Sequence, residues 1–199
     1  MGADPGPPLA SGRTRSDNRT EMGEPPTMRL ILFRHGPAGE RDAKRWPDDG
    51  KRPVTRRGRE RTSLAAAGLR RLLGRPARVA ASPLVRARQT AEVLVAAVGP
   101  EVKIETLEAL TPGAPYRETL RWLRDVESGA SVILVGHEPH LGKLAGMLLF
   151  NSVSATLPLK KAGAVWIDFI GPVEPGAGRL RAFLPPRVLR RLGRGRIEP

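Results

Sequence analysis

The 199-residue chain contains no cysteine. Disulfides, thiolate nucleophiles and cysteine-ligated metals are therefore excluded. Aromatic residues make up only 4% of the chain, and neither zinc-finger spacing nor an aromatic RNA-binding motif is present. Nucleic acid is thus disfavoured as a partner, although 34 basic against 20 acidic residues give a net charge of +14. No apolar run approaches the roughly 20 residues of a membrane span, and residues 1–27 lack the apolar core of a secretory signal. These absences predict a cytoplasmic protein with no membrane partner. Histidine is scarce as well: three in all, which makes each position informative.

The length and the 40% apolar content suit one domain with a substantial core. Residues 1–27 are rich in Gly, Pro, Ser, Thr and Arg and are expected to be a disordered extension. Met28 directly precedes the first strand and reads as a natural start, with the preceding residues an upstream over-assignment. Residues 28–185 form the expected domain, and 186–199, with five arginines and two glycines, a mobile basic tail. Between these ends, short apolar runs alternate with amphipathic stretches. Thr55 is placed to cap a helix over 56–73 that Gly74 stops, with Leu64, Ala65, Leu69 and Leu72 at helical spacing. Further helices are predicted over 84–98, 115–127 and 139–150, the second of these with Leu120, Trp122 and Leu123 facing inward. A brief strand over 102–105 and a late antiparallel pair over 164–170 and 179–184 complete the pattern. The expected fold is α/β: a three-layer α/β/α sandwich around a mostly parallel mixed sheet.

Chemistry gathers where three apolar runs end. Leu30-Ile31-Leu32-Phe33 ends in Arg34-His35-Gly36. Ala77 to Ala81 leads into Ser82-Pro83, where Ser82 is positioned to cap the helix carrying Arg86 in its first turn. Ser131 to Val135 ends in Gly136-His137-Glu138-Pro139. Singly, each histidine has a structural reading and Arg86 a salt-bridge reading. Together they point to a phosphate site, because strand ends converge at the crevice of an open α/β sheet. Phosphoryl transfer needs an aligned nucleophile and fixed positive charge on the non-bridging oxygens. Neutral imidazole supplies the first, and guanidinium forks supply the second. Without a carboxylate cluster, the histidines make a poor metal site. Arg41, Lys44, Arg45, Lys51 and Arg52, in the loop 37–54, are positioned to extend an anionic site or to face solvent.

The strand ending in Arg-His-Gly, the Ser-Pro-x-x-Arg-x-x-Gln-Thr helix start and the late Gly-His resemble the histidine phosphatase superfamily, also called phosphoglycerate-mutase-like. The resemblance spans roughly residues 28–184. With Leu110-Thr111-Pro112-Gly113 in its middle, the chain looks most like the small bacterial phosphohistidine phosphatases of the SixA type. It implies a phosphoglycerate-mutase-like fold and a metal- and cofactor-free hydrolase. His35 would be phosphorylated transiently, Arg34, Gly36, Arg86 and His137 would bind the phosphoryl group, and water would release it. A phosphorylated protein or a small phosphorylated molecule would be the substrate.

Two departures from the pattern matter. Counting back from Gly113, the position at which many members carry a proton-donating glutamate is Ala109, with Glu108 one residue out; Glu108, Tyr116 or no acid at all remain open. A missing acid favours phosphohistidine, whose imidazole nitrogen accepts a proton more readily than an alkoxide departs unaided. Arg41 stands where mutase-like members often carry asparagine, which suits a bulky anionic or protein substrate. His140 and Arg88 lie near the motifs, with packing and solvent exposure as their plainer readings. Two other functions stay open: a small-molecule phosphomonoesterase of the same fold, and a basic module that binds phosphate or nucleic acid without turnover.

Overall fold

The computed structural model describes residues 1–2 and 27–195. Residues 3–26 of the expected extension and 196–199 of the expected tail lie outside the described residues. Thr27, assigned to the extension, is tied to the domain: its N–H donates to the Phe169 carbonyl at 2.7 Å and its hydroxyl to the Gly171 carbonyl at 2.9 Å.

Among the described residues, the chain forms one six-stranded sheet. In chain order the elements are β1 (Met28–Arg34), α1 (Arg56–Leu73), β2 (Arg78–Ala81), α2 (Val85–Val98), β3 (Ile104–Thr106) and α3 (Tyr116–Arg124). β4 (Ala130–Gly136), α4 (His140–Phe150), β5 (Ala164–Phe169), β6 (Arg179–Leu184) and α5 (Pro186–Gly193) follow. The strand order is β3-β2-β4-β1-β5-β6. β3, β2, β4 and β1 run parallel, and β5 and β6 are antiparallel additions at one edge. The expected mixed α/β/α sandwich is thus the observed one.

The apolar runs explain the layers. Leu30, Ile31, Leu32 and Phe33 are all fully buried, because β1 lies in the middle of the sheet with helices over both faces. Alternate side chains go to opposite sides. Ile31 and Phe33 join the core beneath α1, α2 and α5, while Leu30 and Leu32 join the core beneath α3 and α4.

α1 follows its sequence signals: the Thr55 side chain accepts the Gly58 N–H, and Gly74 ends the helix at φ 73°, where a side chain would be strained. Its inward stripe is rotated from expectation, for Leu72 is 41% exposed and Leu73 is buried. Trp122 also departs from its predicted core position. It lies half-buried at the sheet edge, its indole N–H donating to Glu105 at 3.2 Å under the Arg78 guanidinium.

The C-terminal segment corrects the tail expected from residue 186. Residues 186–193 form α5, with Pro186 in its first turn. Leu189 is fully buried beside Ala65, Leu69 and Leu73. The helices touch through backbone: a Cβ on Gly68 would lie 2.0 Å from the Leu189 carbonyl oxygen, and one on Gly193 equally close to that of Leu64. A short arginine-rich helix with one fully committed apolar residue leaves no period to read in sequence, so charge dominates its appearance. Leu189→Ala should therefore cost about 2–4 kcal/mol of unfolding free energy in urea titration, as buried leucines do; a freely mobile tail would give no change.

Candidate active site

Strand register brings the motif residues together. β1 and β4 pair in parallel until Arg34 stands opposite Gly136. His35 and His137 are the next residues on each strand, and the His35 N–H donates to the Gly136 carbonyl at 3.0 Å. Their rings lie 5.1 Å apart between centroids. β2 ends beside β4, and the Ser82 N–H donates to the Val135 carbonyl at 3.0 Å. α2 leaves from that point and carries Arg86 in its first turn.

The result is a pocket of about 450 Å3 whose wall includes Arg34, His35, Arg86 and His137. Also on it are Arg41, Arg52, Glu138 and Lys161. The loop 37–54 closes one side. Its Asp49 carboxylate holds Arg52 at 2.8 Å and Arg86 at 3.1 Å, with Arg41 at 3.9 Å. The Asp49 carbonyl accepts Arg86 Nη1 at 2.7 Å, and Arg52 Nη1 donates to the Gly39 carbonyl at 2.6 Å.

The nucleophile candidate has a defined tautomer. His35 Nδ1 lies 2.8 Å from the Gly36 carbonyl oxygen. A carbonyl only accepts, so Nδ1 carries the proton and Nε2 keeps its lone pair. Gly36 has no room for a side chain, because a Cβ would lie 2.2 Å from Thr62 Oγ1. Its own N–H is taken by Thr90 Oγ1 at 2.9 Å. The expected phosphate contact from Gly36 is therefore replaced by an orienting one: the carbonyl aims His35 while the amide is already engaged.

Four buried side-chain atoms on this wall have no hydrogen-bond partner: Arg34 Nε, Arg86 Nε, His137 Nδ1 and Glu138 Oε1. The remaining donors of Arg34 include Nη1, which is spent on the Leu159 carbonyl at 2.7 Å. Each orphaned donor costs about 1–3 kcal/mol when buried unpaired. All three nitrogens belong to side chains on the pocket wall, and buried polar groups left without a partner are one mark of a functional site.

Several residues fall elsewhere than sequence suggested. Ser82 does not cap α2, whose first turn is preceded by Leu84 without a side-chain cap. Its hydroxyl sits 2.9 Å from His137 Nε2, because β2 delivers it alongside β4. His140 and Arg88 keep the plainer readings expected of them: His140 is buried with Nε2 on the Ala109 carbonyl at 3.1 Å, and Arg88 is exposed. Glu108 is exposed and off the pocket wall, and the Tyr116 hydroxyl reaches the His140 carbonyl at 3.4 Å. Sequence reasoning missed Glu138, Asp49 and Lys161. Glu138 had a signal, its place directly after His137 at a strand end; the other two belong to loops whose return to the pocket only the fold reveals. Among the described residues, no group of three His, Asp or Glu could hold a metal ion, and no helix is long and apolar enough to cross a membrane.

Known proteins share this arrangement. The family model of the histidine phosphatase superfamily (branch 1) matches residues 30–111. An uncharacterized protein of Picosynechococcus sp. is 39% identical over 158 residues, covering 78% of this chain and 90% of its own. The phosphohistidine phosphatase SixA of Escherichia coli is 31% identical over 146 residues, 72% of this chain and 88% of its own. The chain belongs to the histidine phosphatase superfamily. A solved structure of the protein histidine phosphatase SixA complexed with tungstate superposes with a TM-score of 0.69 at 26% identity, covering 81% of this chain and 99% of that one.

In this member of the superfamily, burial and neighbouring cations favour the neutral form of both histidines. Burial pushes His35 down to about 3 against the upward pull of the Gly36 carbonyl, with Arg86, Arg34 and Lys161 lowering it further. Burial likewise pushes His137 to about 3, helped by His35, Arg86, His140 and Arg34. Burial raises Glu138, opposed by the Leu159 and Gly142 amides and by Arg34. In the unfolded chain the histidines take up protons near 6.5, whereas the folded chain excludes them down to about 3. The unfolded state thus binds more protons between those values, and stability falls as pH is lowered through that window. His137→Gln should flatten the slope of unfolding free energy between about pH 6.5 and pH 5 by on the order of 1 kcal/mol per pH unit. Urea titrations across that range read it directly, and an unchanged slope would show that His137 is not held neutral.

Proposed function

We propose that this chain is a metal-independent phosphatase acting through a covalent phosphohistidine at His35, with phosphohistidine in a protein as its substrate class. The observation that carries the proposal is that Arg34 Nε, Arg86 Nε and His137 Nδ1, all buried and unpartnered, belong to side chains of the wall that also carries His35. A phosphoryl group offers oxygens to these donors while its phosphorus faces an imidazole lone pair.

The steps follow from the residues. His35 Nε2 attacks phosphorus; the N–P bond forms as the bond to the leaving atom breaks. Arg34 and Arg86 balance charge on the equatorial oxygens. His137 serves as a neutral donor when the Ser82 hydroxyl donates to Nε2, which leaves the proton on Nδ1. Glu138 has the character of a proton donor: a carboxyl on the pocket wall, raised by burial, with Oε1 unpartnered. It protonates the leaving atom, takes a proton from the attacking water in the second step, and His35 is regenerated neutral as the N–P bond breaks. The likeness to SixA proteins supports phosphohistidine as the substrate class.

Intact-protein mass after a brief non-acidic quench with phosphoramidate, in EDTA, tests the scheme. The wild type should gain one phosphoryl group and release phosphate, while His35→Ala should do neither and lose at least ~10³-fold in turnover. Unchanged turnover in His35→Ala would remove the covalent route, and phosphate binding without turnover in the wild type would leave a binding module. Glu138→Gln separates leaving groups. Alkyl phosphates should lose at least ~10²-fold in kcat and phosphohistidine clearly less, since imidazole departs with less help; equal losses on both would assign Glu138 to pocket architecture instead.

A further inference from the structure

We infer that Lys161, with Arg52 and Arg41, forms a second anion subsite beside the phosphoryl position, which recognises a carboxylate carried by the substrate. The inference rests on the phosphatase reading above, and four observations lead to it.

The pocket, at about 450 Å3, is of the size that takes a small ligand, so it has room for more than the transferring group. Beyond the phosphate donors, the wall carries three cations, Arg41, Arg52 and Lys161, against two carboxyls, Glu40 and Glu138. The part of the substrate that bears the phosphoryl group therefore meets a wall on which cations outnumber carboxyls and no Phe, Tyr or Trp is present.

The backbone that carries the exposed Lys161 side chain is fixed against the nucleophile strand. Lys161 lies on the turn between Lys160 and Gly163, where Ala162 adopts φ 60°, a left-handed conformation costly for any residue with a Cβ. The Ala162 N–H donates to the Arg34 carbonyl at 3.1 Å and the His35 carbonyl at 3.3 Å, and Arg34 N–H returns to the Gly163 carbonyl at 3.0 Å. The turn is thus bolted to the backbone of the nucleophile itself.

The charges facing Lys161 are Arg34, Arg52 and Arg86, which together with burial lower its affinity for a proton. Among the described residues, Lys161 has no salt bridge, while Arg41, Arg52 and Arg86 all share the Asp49 carboxylate. Glu138, the buried carboxyl of the same wall, is engaged by the Leu159 and Gly142 amides. An exposed cation with no salt bridge, carried on a fixed turn beside other cations, is a position that an anion favours.

Asp49 shows what the patch accepts. A carboxylate from the chain already sits across Arg52 and Arg86, with its side chain 42% exposed at the rim. Lys161 extends the same surface with a charge that Asp49 does not neutralise.

Calorimetric titration with methylphosphonate and 3-phosphonopropionate reads the subsite without turnover. In the wild type the carboxylate should tighten binding by about five- to tenfold, the range of a solvent-accessible ion pair shared with a second cation. In Lys161→Gln that gain should shrink to less than about twofold. Two phosphohistidine peptides, differing only by Asp or Asn beside the phosphorylated residue, identify the source. A kcat/KM ratio favouring Asp in the wild type and approaching one in Lys161→Gln assigns the carboxylate to a protein; loss of the phosphonate gain alone assigns it to a small molecule. No gain from the carboxylate in the wild type, or a gain that survives Lys161→Gln, overturns the inference. Carboxylate-dependent binding by a protein that hydrolyses none of these substrates would instead sink the phosphatase reading and leave the subsite standing.

Discussion

The site depends on the parallel pairing of β1 with β4. That pairing ends with Arg34 opposite Gly136, so the two strands release their histidines at the same height, and one hydrogen bond from His35 to Gly136 fixes the exit. A one-residue slip would send Leu30 and Leu32 into the core of the opposite face and turn the strand end with them. The fully buried run Leu30–Phe33 resists such a slip, since it is matched on each side to different helices. Core packing and catalytic geometry are therefore one constraint.

The second organising feature is the concentration of positive charge at that strand end. Arg34, Arg86, Arg52 and Lys161 face one another, and Arg52 and Arg86 are nearly sealed from solvent, at 5% and 3% exposure. Such a cluster persists because the fold compensates it in part: Asp49 binds two of the guanidinium groups closely, and the Leu159, Gly39 and Asp49 carbonyls accept further donors. The compensation stops short at Arg34 Nε, Arg86 Nε and His137 Nδ1. In the proposed function, stability given up at those atoms would be recovered when an oxyanion binds, as a preorganised site converts folding free energy into affinity.

Much of this was legible in the sequence, for physical reasons. Strands buried on both faces write themselves as continuous apolar runs, so β1 and β4 could be read with the residues that leave them. Thr55 and Gly74 marked α1 because caps are local chemistry. What escaped was non-local. Leu189 disappears among arginines, and only the glycine contacts with α1 reveal α5 as a packed helix. Ser82 carries a cap signature, yet sheet pairing gives it to His137. Asp49 and Lys161 lie in loops whose return path no periodicity encodes, although the sheet that holds them was predicted. Glu108 and Tyr116, the sequence candidates for an acid, stay off the pocket wall, whereas the fold puts Glu40 and Glu138 on it, the second directly after His137.

Neutral histidines and unneutralised arginines belong to one design. Were His35 protonated at neutral pH, its lone pair would be lost and the cationic cluster would gain another charge; burial and the neighbouring guanidiniums prevent both. In the proposed reaction an incoming phosphoryl dianion would reverse the local field. The charges that depress His35 and His137 in the free site would then be offset, and protonation of His137 would become easier just as charge builds on the phosphoryl oxygens. His35 would not follow, because its Nδ1 proton is held by the Gly36 carbonyl and its Nε2 would be consumed by the proposed bond to phosphorus. In that scheme the same field change would act on two imidazoles 5.1 Å apart, and their different partners, the Gly36 carbonyl and the Ser82 hydroxyl, would direct one toward nucleophilic attack and the other toward donation.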